Sequence, residues 1–225
     1  MGKPTVVLNQ YNLYQPLQKG IVYQIRTNLC VEKDRTFQIG KGFVHIMPYA
    51  HLEVEGGIIV DGGKLSVEGS LNVCRNSTVV LRERGILSCF SSGYITVDGE
   101  IAIRGGKCFV GGSVLIRNRF SLRSGVLICN PTADIVVCNG ILDVGAKALF
   151  ILNSALYTRN GGVVRLPKCL QDNGNNQESK DKTIILHNTK ESGFCSFLCD
   201  FSVVSQGGDI RYYHRASRSF FLCCI

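Results

Sequence analysis

Residues 63–73 read GKLSVEGSLNV, two alternating phrases separated by one glycine. Leu65 and Val67 alternate with polar neighbours, Gly69 interrupts, and Leu71 and Val73 alternate again. Period-two alternation is the pattern of a short strand with one buried face. Two readings are open. Gly69 is the tip of a β-hairpin, or it is one corner of a coil that repeats down the chain. In the second reading Leu65, Val67, Leu71 and Val73 all face one shared interior.

The stretch that follows favours the coil. Gly85, Gly105, Gly125 and Gly145 recur at one constant interval, three times running. Between them lie further bends at Gly93, Gly99, Gly111, Gly112, Asn118 and Gly140. The intervening segments, such as ILSCF, YITVD, EIAIR and SVLIR, are short, alternating and rich in β-branched side chains. That composition suits strands. A strand and bend, taken three at a time, makes a coil of about 20 residues, the size of one rung of a parallel β-helix. Cys89, Cys108 and Cys129 recur at nearly the same interval. They predict a ladder of buried thiols packed as small apolar groups.

The expected fold is therefore all-β, a single-stranded parallel β-helix (β-solenoid) of about 20 residues per coil with terminal caps. Two alternatives stay open. VDGG and RNGG suit the tight turns of an antiparallel β-sandwich or meander. Gly85, Gly99, Gly112 and Gly125 recur at a shorter interval that would instead fit a two-strand coil. The longer recurrence, from Gly85 to Gly145, is the reason to prefer three strands.

The same pattern divides the chain. Residues 1–42 are an N-terminal cap or the first rungs, and 43–170 form the solenoid core. Residues 171–182, QDNGNNQESKDK, have no apolar side chain and read as a mobile polar loop. Residues 183–225 supply further strands, as a cap or as a continuation.

These readings resemble the right-handed parallel β-helix architecture of pectate lyases, polygalacturonases, phage tailspikes and some viral proteins. Bactofilin-type scaffolds are a related comparison. The resemblance covers about 125 residues, rests on period and pattern, and identifies no specific family. It implies a fold without fixing a function. The enzymes of this architecture use clustered carboxylates, or Ca²⁺ with a basic residue, on one face. Here Asp61, Glu68, Glu83, Asp98, Glu100, Asp134 and Asp143 share no common offset. The paired Asp-Asp, Gly-His-Gly and Arg-x-Lys elements of polygalacturonases are absent. So are a nucleophile elbow, a P-loop and the HExxH frame. No catalytic residue and no cofactor is assigned, and the expectation is a non-enzyme.

Composition adds bounds. The 225 residues carry 45% apolar side chains, 25 Gly, 5 Pro, no Trp and 11 Cys. Many glycines with few prolines suit repeated tight bends. The opening MGKPTVVLNQYNLYQ has no apolar h-region. No apolar stretch is long enough for a transmembrane helix. The expected location is the cytoplasm or nucleus, with reduced thiols. Cys195, Cys199, His214, Cys223 and Cys224 are the weak candidates for a metal site, without a recognisable finger spacing. Cys223 and Cys224 are also candidates for palmitoylation, against burial in a terminal core strand.

Net charge is +8 and the pI is about 9.0. Lys64, Arg84, Arg104 and Arg123 recur at nearly the interval of the glycines. On such a coil they form a basic edge, with Lys107, Arg117 and Arg119 near its far end. This edge suits a polyanion. The leading expectation is a non-enzymatic β-solenoid acting as a structural or interaction protein, with a protein partner or with itself. The alternative is a virus-encoded accessory protein that binds nucleic acid or an acidic glycan through the basic edge. A carbohydrate-active β-helix enzyme is the third reading.

Overall fold

The computed structural model describes residues 2–166 and four short strand segments beyond them, 184–186, 201–206, 209–214 and 222–223. Over these residues the chain is all-β, without a helix, and winds as a parallel β-solenoid of about 8 turns spaced by about 21 residues.

Residues 63–73 show how each turn is built. They give one strand to a first face, Lys64–Val67, and one to a second face, Ser70–Val73. The two strands do not pair with each other. Leu65 lies between Val44 and Leu87 of the neighbouring coils, and Leu71 between Leu52 and Ile95. Thr78–Leu81 then forms the third face, between Gly57–Val60 and the start of Glu100–Val110. Each coil thus contributes three strands, and inside the stack every strand pairs in parallel one coil up and one coil down. The hairpin reading and the two-strand coil are both set aside by this register.

The alternation sorts the side chains. Leu65, Val67, Leu71, Val73, Val79 and Leu81 are all fully buried in one continuous core. Burial of each such side chain contributes about 1.5–3 kcal/mol. At Gly69 an added Cβ would collide with the carbonyl oxygens of Met47 and Ala50 in the coil below. The corner is closed by backbone contact, which only glycine admits.

Two details differ from the counted period. The glycines that stack at the corner between the third and first faces are Gly63, Gly85, Gly106 and Gly125, as the register of the strands after them requires. Gly105 sits one position earlier, and Gly125 pairs onward with Ala148 rather than Gly145. Coil lengths are unequal: Glu100 pairs one coil on with Arg119, whereas Ser70 pairs one coil on with Tyr94. An average period therefore does not track one position. The cysteines follow suit. Cys89, Val110 and Cys129 share one inward column, while Cys108 stacks with Leu87 and Leu127 in the next. All three thiols are buried, but they do not form a single ladder.

The regular coil begins earlier than Phe43. Val22–Ile25, Leu29–Val31 and Thr36–Ile39 already make a full turn. Its turn from the second face to the third, residues 32–35, holds Asp34 at φ 63 instead of a glycine, which hides it from a glycine count. Thr5–Leu8 adds one more strand to the first face. Residues 9–18 close the end. Leu13 is fully buried against the core. The Gln10 side chain donates to the Cys30 carbonyl at 2.9 Å and accepts from the Cys30 amide at 3.3 Å. The Tyr14 hydroxyl accepts from the Glu32 amide at 2.9 Å. Side chains here replace the missing neighbour strand at an open sheet edge.

At the other end the pairing changes sense. Ile184–Leu186 pairs antiparallel with Val163–Leu166, Asp209–His214 with Ala155–Arg159, and Leu222–Cys223 with Ile141–Leu152. The later strands fold back onto the last coil instead of continuing it.

Candidate polyanion-binding edge

The corner between the third and first faces carries a run of free positive charge. Its turns are built from residues 40–42, 61–63, 82–85, 104–106, 123–125 and 145–148 in successive coils. The tight backbone leaves only outward space there, so Arg84, Arg104, Arg123 and Lys147 are all exposed. Arg84 holds φ 64, the left-handed conformation that turns the chain before Gly85. Lys107 begins the first-face strand just beyond Arg104 and is also exposed. Among the described residues none of these five cations has an ion-pair partner. Coils rise about 4.8 Å, so Arg84 to Lys147 spans about 14 Å. Glu83 is the acid within this span. Below it Arg82 faces Asp61 at 3.9 Å.

Of the remaining members of the expected edge, the structure keeps Lys64 beside the corner and separates Arg117 and Arg119. Lys64 lies on the first face two coils below Lys107, in the same register column, between Phe43 and Ile86. Its ammonium sits 5.2 Å from the Phe43 ring and 5.8 Å from the Phe90 ring. Arg117 and Arg119 lie at the corner between the second and third faces, and the width of the third face separates that corner from the basic one. Acids neutralise both arginines there. Arg117 reaches Asp98 at 3.5 Å, and Arg119 reaches Asp143 at 2.8 Å and Glu100 at 4.0 Å. Lys147 and Arg82 escape sequence reasoning because they lie off the near-regular interval that links Lys64, Arg84, Arg104 and Arg123.

Beside the edge the first face presents an aromatic group. Phe43 and His45 stack at 5.9 Å with an interplanar angle of 11°, and Phe90 leans on His45 at 6.2 Å. Phe90 is 41% exposed. The His45 Nε2 lies 3.4 Å from Glu68 Oε1 but not in hydrogen-bonding geometry. At the lower end of the corner, Lys3, Lys41 and Lys64 line a groove of about 210 Å³ with Gly42, Gly62, Gly63 and Phe43. No carboxylate lines it.

Several of the carboxylates singled out in the sequence are engaged by arginines. Asp98 is held by Arg117, and Glu100 and Asp143 share Arg119. Asp61 and Glu83 sit at another corner and Asp134 on the second face. Cys30, Glu53 and Glu55 place ligand atoms within 4.8 Å of one another, and the Cys74 thiol lies 3.4 Å from Glu53 Oε1. Desolvation, then the neighbouring glutamates, push both thiols up, Cys74 to about 11. Both therefore keep their protons at neutral pH. Of the weak metal candidates, Cys195, Cys199 and Cys224 lie outside the described residues, as do the side chains of His214 and Cys223. No helix among the described residues is long and apolar enough to cross a membrane.

Comparison with protein-family models, curated proteins and solved structures finds no match. An edge of unpaired guanidinium and ammonium groups beside aromatic rings can bind anionic groups and stack planar ones.

Proposed function

We propose that this chain is a non-enzymatic β-solenoid interaction protein that binds single-stranded nucleic acid along the corner carrying Arg84, Arg104, Arg123 and Lys147, with Lys107 beside it. One observation carries the reading: five exposed cations without ion-pair partners are held within about 14 Å on a rigid backbone. Like charges stacked on neighbouring strands repel, and an anionic polymer offsets that repulsion along its length. Arginine forks match phosphate oxygens in pairs. The exposed Phe90 and the Phe43 ring add stacking surfaces. This pairing of cations with aromatic platforms favours a single strand over a sulfated glycan.

The test is binding of a labelled single-stranded oligonucleotide by the full chain, followed against salt. About five phosphate contacts predict a log–log slope near −3.5. The double reversal Arg104→Glu with Arg123→Glu should flatten that slope by about 1.4 and weaken binding at low salt by roughly tenfold or more. An unchanged slope in the double variant sinks the reading. Displacement of the strand by heparin at a far lower concentration of anionic groups than unlabelled strand requires turns it toward an acidic glycan.

A second reading, self-association, has one observation in its favour. Thr5–Leu8 pairs on one side only among the described residues, with Val6 and Val7 exposed. Light scattering at rising concentration checks it, and a strict monomer rules it out.

A further inference from the structure

The groove at the lower end of the corner has a different construction from the edge above it. Three successive turns meet there, at Gly20, at Lys41–Gly42 and at Gly62–Gly63. Gly20 and Gly62 have φ of 85° and 78°, the left-handed conformation that glycine adopts without strain. Among the described residues the amides of Lys41, Gly42, Gly62 and Gly63 donate no backbone hydrogen bond. Lys3, Lys41 and Lys64 stand around them without an ion-pair partner. Asp61 turns its carboxylate to Arg82 at 3.9 Å and does not line the groove. The volume of about 210 Å³ admits one tetrahedral oxyanion with part of what it is attached to.

Concentrated positive charge, free amides and an apolar wall of Phe43 and Ile86 are the makings of an oxyanion site. We propose that the Lys3–Lys41–Lys64 groove is a phosphate site that takes the terminal phosphate of the strand lying on the edge above. The terminal part of this proposal rests on the nucleic-acid reading; the oxyanion part rests on the groove alone. Bound in this way, the strand end has a fixed place, and the edge acquires a starting point and a direction. Lys64 has two roles available to it. Its stem and ammonium pack against Phe43 and Phe90, and the remaining ammonium protons are free to meet phosphate oxygens.

Two measurements separate the parts. In the first, inorganic phosphate is titrated into the full chain and backbone amide resonances are followed. Saturable shifts of Gly42, Gly62 and Gly63, lost in Lys41→Gln with Lys64→Gln, support the oxyanion site. Absence of those shifts overturns it, whatever the edge does. Sulfate titrated in parallel tests the ligand chemistry: stronger shifts by the phosphate dianion support a phosphate monoester, and equal shifts overturn that preference. In the second, oligonucleotides of one sequence carry a 5′-phosphate, a 3′-phosphate or neither. One phosphorylated end should bind about tenfold more tightly than the unphosphorylated strand, and Lys41→Gln should abolish the gain. Equal binding of all three overturns the terminal role and leaves the edge reading standing. Failure of every strand to bind, with phosphate shifts intact, overturns the nucleic-acid reading and the terminal role together while the oxyanion site stands. Amide spectra of the variants that overlay the parent outside the groove exclude misfolding as the cause.

Discussion

At the residue scale, stability depends on contacts that allow no extra atom. A Cβ on Gly85 would collide with the Val60 carbonyl oxygen of the coil below. Gly85→Ala should therefore destabilise by about 1–3 kcal/mol, because backbone must move. Gly161 meets nothing within 4 Å but holds φ 78. Gly161→Ala should cost only the conformational strain, about 1–2 kcal/mol. Urea midpoints of the two variants check both figures. Buried thiols give a second expectation. Burial pushes the Cys89 thiol up from 9.0 to about 11, and raises Cys108 and Cys129 as well. Above about pH 9 the unfolded chain loses these protons while the folded chain keeps them. Stability is then full below about pH 8 and declines as pH rises from about 9 toward 11. A urea midpoint that did not fall between about pH 8 and 10 would contradict this.

At the element scale, the open end of a stack of strands has to be closed. Residues 9–18 do this with side chains rather than with a strand, through Gln10 on Cys30 and Tyr14 on Glu32. Leu13 plugs the core end and is fully buried. Leu13→Ala should cost about 2–5 kcal/mol, as for other buried leucines. Gln10→Ala should cost about 1 kcal/mol and act locally. Hydrogen exchange at the Cys30 amide should quicken while exchange at Leu65, in the middle of the stack, stays unchanged. Equal acceleration at both positions would mean that the cap and the coil are one cooperative unit.

At the scale of the whole molecule, the basic corner is a surface property laid over a self-sufficient core. The double reversal Arg104→Glu with Arg123→Glu removes exposed groups without ion-pair partners, so stability should stay within about 0.5 kcal/mol of the parent. A thermal melt of the variant, run beside the binding measurement, checks this. Much of the architecture is legible in the sequence. Alternation in GKLSVEGSLNV assigns Leu65, Val67, Leu71 and Val73 to the interior, and all four are buried. The recurrence of glycine points to three strands per coil, because close coil-to-coil contact at the corners excludes side chains whatever the rest of the sequence does. Register is not legible. Strands are pinned by pairing with the coils above and below, so the short turn from Glu100 to Arg119 and the longer one from Ser70 to Tyr94 stack together without a marker in the chain. For that reason Cys108 leaves its expected ladder, Arg117 and Arg119 fall to another corner, and Lys147 joins Arg123. The sequence by itself determined the strand period, the buried face and the excess of positive charge, which are local or compositional properties. Only the tertiary structure decided which cations share an edge, which are neutralised, and that Lys3, Lys41 and Lys64, far apart along the chain, meet in one groove. Those are distances between coils, and they are set by stacking.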